Sequence, residues 1–578
     1  MDMQKCFSSL SKNRELLILI VFELLIFIGF LSFGNIKYEV SDDFIMELIF
    51  SKTYTDELSF RLLFSNSIYG MFLAGLYSLM PKISWYLVIQ LLICLLSYIC
   101  MAKLLLKKLP LLHACMVLLP ITFLTAYDLY LLPQFTKTAS VAITAGGLLF
   151  LHAAFEEKNP GDLLLGGFVF ILGSMIRFIA IYTALPFFLL YSLYLFCSDR
   201  KQKLGKPVLH AAVLAILTLA LRYTGLAITN SSEQYRYFTE WSAERSHFID
   251  YSIPPEEYLS DTLKANDMTE NDYRMLASWQ YADEETLGIN QLKAIREAIN
   301  VYRETLHTDT ETIFDTISQR GILLYPGCIL CLILTLFCLL TKPKSTVIPA
   351  ICIVILLAYF AYFISADRCV YRVECSFFIN AAFTIAASLT LSDRTIRKNT
   401  YIISAVSLIL SLLTAYAFRP VSFSGNESEY RDYILSTYYP SWNYDRQKYR
   451  KEIIPGTLYS DFVSYAQDNP EKLFIMEFDT VIQKLYYHFD PLQSASSQFP
   501  KNLFYMGGVT AYHPVMNEYI KSLGYASIPE ALLQPNVYYV CNNNADLMLT
   551  YFHEHGHENV QMNLVTSIDG LDIWSFTD

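Results

Sequence analysis

The sequence predicts a polytopic α-helical membrane protein with a C-terminal α/β domain held outside the membrane. Three observations predict it. The 578 residues are 54% hydrophobic and only 17% charged, too apolar for a soluble chain of this length. Runs long enough to cross a bilayer recur from Leu16 to Phe418, and Lys/Arg clusters fall between them on alternate sides. From about Arg419 the pattern changes to short β-type runs such as KLFIMEF, NLFYMGG and NVYYVC. A net charge of −11 speaks against a nucleic-acid partner, which needs a basic face.

The first run, Leu16–Phe33, follows Lys5, Lys12 and Arg14, which hold the N-terminus in the cytoplasm. It lacks a small-residue cleavage site and reads as a retained anchor. Glu23 inside it has no evident role. The following outer loop spans 34–84. Its stretch from Arg61 to Met80 is broken by Ser65, Asn66 and Ser67 and reads as an amphipathic surface helix. Trp85–Met101 runs inward to Lys103, Lys107 and Lys108. Leu111–Leu132 runs outward, and Thr138–Ala154 returns to EEKNPGD, whose acidity suits neither side. Leu163–Cys197 is too long for one span and is split near Arg177–Ile181. Pro207–Ile228 goes outward into a polar, helix-compatible segment, 229–319. Gly321–Leu340, Ser345–Ser365, Cys375–Leu391 and Tyr401–Phe418 complete about eleven spans, N-in and C-out. The expected division is a transmembrane unit, 1–418, and a soluble extracytoplasmic domain, 419–578. That domain is expected to hold helices near Leu458–Gln467, Pro514–Leu523 and Ala545–His555, and a closing hairpin that turns at Asp569-Gly570.

The chemistry gathers on the outer side. Asp42 and Asp43, in KYEVSDDF, lie just past the exit of the first span. Such a pair is either a helix cap or a general base or metal-orienting carboxylate at the mouth of an intramembrane cavity. Arg177, Arg222, Arg368 and Arg372 map to the outer half or outer loops, with Lys137 in a short outer turn. Taken singly, each is a snorkelling or locally paired cation. Taken together they suit a phosphate. Carboxylates beside phosphate-binding cations fit transfer of a group from a lipid-linked phosphate donor.

This layout resembles the GT-C class of integral membrane glycosyltransferases, which use polyprenyl-phosphate sugars, among them the aminoarabinose transferase and the protein O-mannosyltransferases. SDDF at Ser41–Phe44 is similar to the class's first-loop acidic motif. VYRVECSFFINAAFTIAASL at Val370–Leu389 is similar to its late-helix pattern, with the order Tyr371-Arg372 and without the usual proline. The resemblance implies an inverting transfer of a sugar from a polyprenyl-phosphate donor to a glycan, lipid or protein acceptor outside the cell membrane. Asp42 or Asp43 is then the base, with Arg372, Arg177, Lys137, Arg368 and Arg222 as donor-phosphate ligands. No organic cofactor is implied, and a divalent cation near the Asp pair stays open. The alternatives are a flippase or transporter for a lipid-linked glycan, which wants ionisable groups at mid-membrane, and a non-catalytic envelope assembly protein.

Other signals are weaker. His553 to His557 satisfies HExxH, but Gly556 is placed to end the helix between the two histidines and no later histidine follows. Most of the twelve cysteines lie in apolar runs as small fillers, Cys328-x-x-Cys331 included, and Cys369 and Cys375 flank an outer loop. Asn230 and Asn426 open glycosylation sequons, relevant only in a eukaryotic secretory pathway.

Overall fold

The computed structural model describes residues 3–34, 36–156, 159–198, 204–249, 253–305, 310–319, 322–341, 346–366, 368, 370–390, 405–406, 408–409, 412–413, 459–482, 485–486, 488–542 and 544–578. The expected last span, the domain boundary near 419, Cys369 and Asn426 fall largely or wholly outside them.

Seven helices among these residues are long and apolar enough to cross a membrane, which marks an integral membrane protein. They are α1 (Met3–Phe33), α4 (Trp85–Leu105), α5 (Leu111–Ala126, continued by a π-helical turn Tyr127–Leu131), α6 (Phe135–Glu156), α8 (Ala180–Ser198), α9 (Gly205–Thr229) and α17 (Val347–Ser365). Three shorter apolar helices join them: α3 (Ser67–Leu79), α7 (Pro160–Ile176) and α16 (Pro326–Thr341). Helix α18 (Tyr371–Ser388) is buried from Glu374 to Ser388 yet carries Glu374, Asn380 and Thr384. It faces other helices rather than lipid, so its sequence need not be as apolar as a rim helix.

Helix α6 is the axis of the bundle: it is buried along nearly its whole length, whereas the apolar stretches of α1 and α9 are mostly exposed. Glycine sets its closest contact. A Cβ on Gly146 would stand 2.7 Å from the Gly166 carbonyl oxygen of α7, and one on Gly166 would stand 2.6 Å from the Phe150 nitrogen. Only small residues allow helices to approach this closely. The 163–197 stretch breaks as expected. Helix α7 starts at the Asn159 cap with Pro160 next, and ends at Arg177 in extended conformation. The acid that suited neither side also finds its place. Asp162 is fully buried and pairs with Lys103 at 2.6 Å and with Lys107.

The outer-loop expectation resolves into α2 (Ser41–Phe50) and α3, which Asn66 caps by accepting the Ile68 N–H at 2.9 Å. The 229–319 region forms α10 (Glu233–Ile249), α11 (Glu256–Ala265), α12 (Glu270–Ala277), α13 (Glu284–Leu287), α14 (Ile289–Thr305) and α15 (Thr310–Gln319). These pack partly around Trp241, whose indole donates to the Leu287 carbonyl at 3.0 Å.

The C-terminal domain is a five-stranded mixed sheet: β1 (Leu473–Glu477), β2 (Leu503–Met506), β3 (Val537–Cys541), β4 (Gln561–Ile568) and β5 (Leu571–Thr577). The order is β2-β1-β3-β5-β4. β1 pairs in parallel with β2 and β3, in register Ile475 with Phe504 and with Tyr539. β5 runs antiparallel to both β3 and β4. The hairpin turns at Asp569 (φ 55°) and Gly570 (φ 75°), the paired left-handed geometry that Asp-Gly favours. The expected helices lie at Ser460–Asp468, Pro514–Ser522 and Ala545–Glu554.

The sheet domain clamps the chain that leaves α1. The Lys37 ammonium donates to the Phe489 carbonyl at 2.8 Å, and the Tyr54 hydroxyl to the Leu503 carbonyl at 2.7 Å. A β-bridge joins Ile83 to Gln493. Helix α2 is therefore wedged between the bundle and the sheet domain.

Candidate functional site

Chain geometry after α1 puts the acidic stretch against the N-terminal end of α6. Gly34 closes α1, then the Lys37 N–H donates to the Leu131 carbonyl at 2.9 Å and the Glu39 N–H to the Pro133 carbonyl at 3.2 Å. This strap lays Glu39 and then α2 beside the loop that opens α6.

The Asp pair does not cap α2. The cap position is Val40, without a side-chain bond, and both aspartates sit in the first turn. Asp43 points inward and is fully buried. It accepts from the Tyr86 hydroxyl at 2.9 Å and the Phe135 N–H at 3.1 Å. Burial pushes its carboxyl up to about 8, and these two donors offset only part of that. Asp42, its neighbour, is half-buried. Glu47 lies one turn on, on the face of Asp43. It accepts from the Tyr77 hydroxyl, from Ser84 at 3.0 Å and from the Ala495 N–H at 3.3 Å, and burial raises it to about 8. A void of about 10 Å³ lined by Lys37, Glu47, Phe489 and Gln493 has room for about one water beside it.

Lys137, on the first turn of α6, is also fully buried. Its ammonium meets Glu39 at 2.7 Å and Asp128 at 3.4 Å, and donates to the Leu132 carbonyl. The Tyr371 hydroxyl donates to the other oxygen of Asp128 at 2.9 Å. Asp128 is held on the π-helical turn that ends α5, an irregularity that re-aims side chains. Glu39 and Asp128 thus neutralise Lys137 inside the protein.

Arg177 lies over two aromatic faces, with its guanidinium carbon 4.7 Å from the Phe64 ring centre and 5.1 Å from that of Phe135. Those rings stack on each other at 5.2 Å. Phe135 is therefore the hub: its N–H is held by Asp43, its ring lies under Arg177, and Lys137 is two residues on. Arg372 is half-buried in the first turn of α18, next to Tyr371. Arg222 of α9 lies over the Phe178 ring at 5.4 Å, beside the α7–α8 joint. Arg368 is half-buried just before α18. Its charge reaches His247 of α10, where burial, with Arg296, Arg303 and Arg368, lowers the imidazole. Asp43, Lys137 and Arg177 meet around one residue. Arg372 is the chain neighbour of Tyr371, whose hydroxyl holds Asp128, whereas Arg222 lies over Phe178 and Arg368 acts on His247 of α10.

Several members were not expected. Glu47 carries a usable signal, because Asp43 and Glu47 at i and i+4 share one helix face. Asp128 and Glu39 carry none, since the π-helical turn that ends α5 brings one to Lys137 and the strap after α1 brings the other. Glu23 is placed by its bond from the Thr122 hydroxyl at 3.0 Å. The HExxH match dissolves as expected. The helix ends at Glu554, Gly556 has φ 94°, and His553 pairs with the Val560 carbonyl at 2.9 Å. Among the described residues no group of three His, Cys, Asp or Glu side chains is arranged to hold a metal ion. Cys375 is a free, buried thiol.

No protein-family model and no curated protein sequence matches the chain. Among solved structures it is similar to the crystal structure of ArnT from Cupriavidus metallidurans bound to undecaprenyl phosphate, at 9% identity over 97% of each chain and a TM-score of 0.36. At that score the similarity carries no weight in assigning a function.

Proposed function

We propose that the protein is a membrane glycosyltransferase of the GT-C type, moving a sugar from a polyprenyl-phosphate donor to an acceptor outside the membrane. The observation that carries the reading is the hub at Phe135, which gathers the acid motif of α2 with cations from α6 and α7 at one end of the bundle. Asp42 is the base in this reading. Asp43, titrating near 8, is mostly neutral at pH 7 and serves as a bonded anchor for α6. Asp42 takes the proton from the acceptor hydroxyl, the oxygen attacks the sugar's anomeric carbon, and the bond from that carbon to the phosphate oxygen breaks. Arg177 and Arg372 hold the charge left on the lipid phosphate. Lys137 keeps the electrostatics of the α6 terminus in balance and is already committed to two carboxylates.

The test is sugar transfer in membranes supplied with polyprenyl-phosphate sugars. Asp42→Asn is expected to lower turnover by about 10²–10⁴-fold, the usual contribution of a positioned base. Arg372→Ala is expected to raise the donor KM as well. Full transfer by the Asp42→Asn, Asp43→Asn double variant ends this mechanism. The transport alternative wants ionisable groups at mid-membrane on both access paths, and Glu23, the acid within the first span, accepts a bond from the Thr122 hydroxyl at 3.0 Å.

A further inference from the structure

A second site lies in the sheet domain, away from the Asp pair. β1 is the central parallel strand: the chain goes from β1 to β2 on one side, then to β3 on the other. In open α/β sheets, ligands bind outside the carboxyl ends of the strands at such a reversal. Here the crevice directly at the reversal is filled from within. Gln280 donates to the buried Glu477 carboxylate at 2.9 Å and accepts from the Tyr539 hydroxyl at 3.2 Å. The Trp279 ring stacks on Phe478 at 5.5 Å, and the Gly508 N–H donates to the Trp279 carbonyl at 2.9 Å. Trp279, at φ 60°, holds a left-handed conformation kept only under constraint, and Gly507, at φ 94°, leaves room for the Trp279 carbonyl, which a Cβ there would meet at 1.9 Å.

The open space is displaced sideways, over the carboxyl end of β2. It is a cavity of about 440 Å³ between the 281–285 segment and the sheet domain, within the ordinary size of a small-molecule site. Its walls mix two kinds of group. Tyr512, Met516, Ile520 and Ile528 give apolar surface, while Asn517, Ser527, Lys521 and the carboxylates Asp283, Glu284 and Glu285 give hydrogen-bonding edges. Tyr512 is itself a left-handed residue, φ 59°, and its hydroxyl is fixed on the Asp283 carbonyl.

We propose that this cavity is a binding site for a saccharide without anionic groups. Three carboxylates against one lysine repel phosphates and carboxylates, which disfavours a nucleotide or a uronic acid. A purely apolar ligand would take the Asp283, Glu284 and Glu285 carboxylates out of water with only Lys521 to answer their charge. A sugar ring presents C–H faces to the apolar wall and a rim of hydroxyls to the amide and carboxylates. The site is independent of the catalytic reading: it needs no donor, and it adjoins Tyr54, beyond the end of α2, whose ring lies 5.3 Å from Phe504 and 6.4 Å from Tyr505.

The experiment is saturable binding to the full chain in detergent, measured by calorimetry without any lipid-linked donor. The probes are cellobiose, glucuronate, inorganic phosphate and putrescine. Cellobiose is expected to bind, and glucuronate and phosphate are not. Ala526→Trp, which fills the mouth from an exposed position, is expected to weaken cellobiose at least about tenfold. Asn517→Ala is expected to weaken it less, with an unchanged melting temperature for both variants. Absence of cellobiose binding, binding indifferent to Ala526→Trp, or binding of putrescine alone would overturn the proposal. Loss of sugar transfer in Asp42→Asn with cellobiose binding intact separates this site from the catalytic one.

Discussion

Asp43 and Glu47 are two acids in one buried face of a short helix, and both are raised to about 8 by burial. An unfolded carboxyl titrates near 4, so the folded protein binds more protons than the unfolded chain between those values. Their contribution to stability is therefore whole below about pH 4 and lost as pH rises through 8. Asp43→Asn keeps an oxygen for Tyr86 and Phe135 and removes the titration. Thermal melts in detergent between about pH 6 and 9 are expected to fall less steeply for this variant than for the parent. Equal slopes would show that Asp43 is not a buried acid. His513 has the opposite sign. It is fully buried, accepts from the Val515 N–H at 3.3 Å, and burial lowers it to about 4. Its stabilisation is present above about 6.5 and drains away as pH falls to 4, so His513→Gln is expected to soften the acid limb of the same melts.

At the scale of elements, two contacts decide whether the site exists. The α6–α7 seam depends on Gly146 and Gly166, where a side chain meets backbone. Gly146→Val is expected to push the helices apart and cost about 1–3 kcal/mol or more, read as a lower melting temperature. Gly75 of α3, with nothing near its absent Cβ, is the control: Gly75→Ala should hold or slightly raise the melt, by up to about 1 kcal/mol. The second contact is the charge cluster at the head of α6. Lys137→Met leaves Glu39 and Asp128 buried without their cation, an expected loss of about 3–5 kcal/mol. Adding Glu39→Gln to it should recover part of that loss. Purely additive melts would mean that the two side chains do not interact in the folded protein.

Across the whole molecule, the sheet domain and the bundle share the chain between α1 and α4. Lys37, Tyr54 and Glu47 each bond to the sheet domain's backbone, and Gln280 inserts into that domain from the helical segment. Removing Gln280 leaves Glu477 short of a donor, an expected cost of about 1–3 kcal/mol. Gln280→Ala should then lower hydrogen-exchange protection in β1 and α12 together. Loss confined to one of them would mean the two units open separately.

The sequence by itself determined the element list. Long apolar runs have no stable home but a lipid-facing or buried helix, so α1, α4, α5, α6, α8, α9 and α17 are readable from composition alone. The three short buried strands β1, β2 and β3 and the Asp569-Gly570 hairpin are equally local, because a short apolar run and turn chemistry act over a few residues. The acid motif and its arginines were legible as residue types. Their division of labour was not. Asp42 and Asp43 are neighbours of the same kind in the sequence, and only the packing of α2 against Tyr86 and the Phe135 N–H buries one and leaves the other half-open. Lys137 is a free cation on paper, and it becomes a neutralised one because Glu39 and Asp128 arrive from separate elements. Burial and charge pairing arise from contacts between distant parts of the chain, and those are set by tertiary structure.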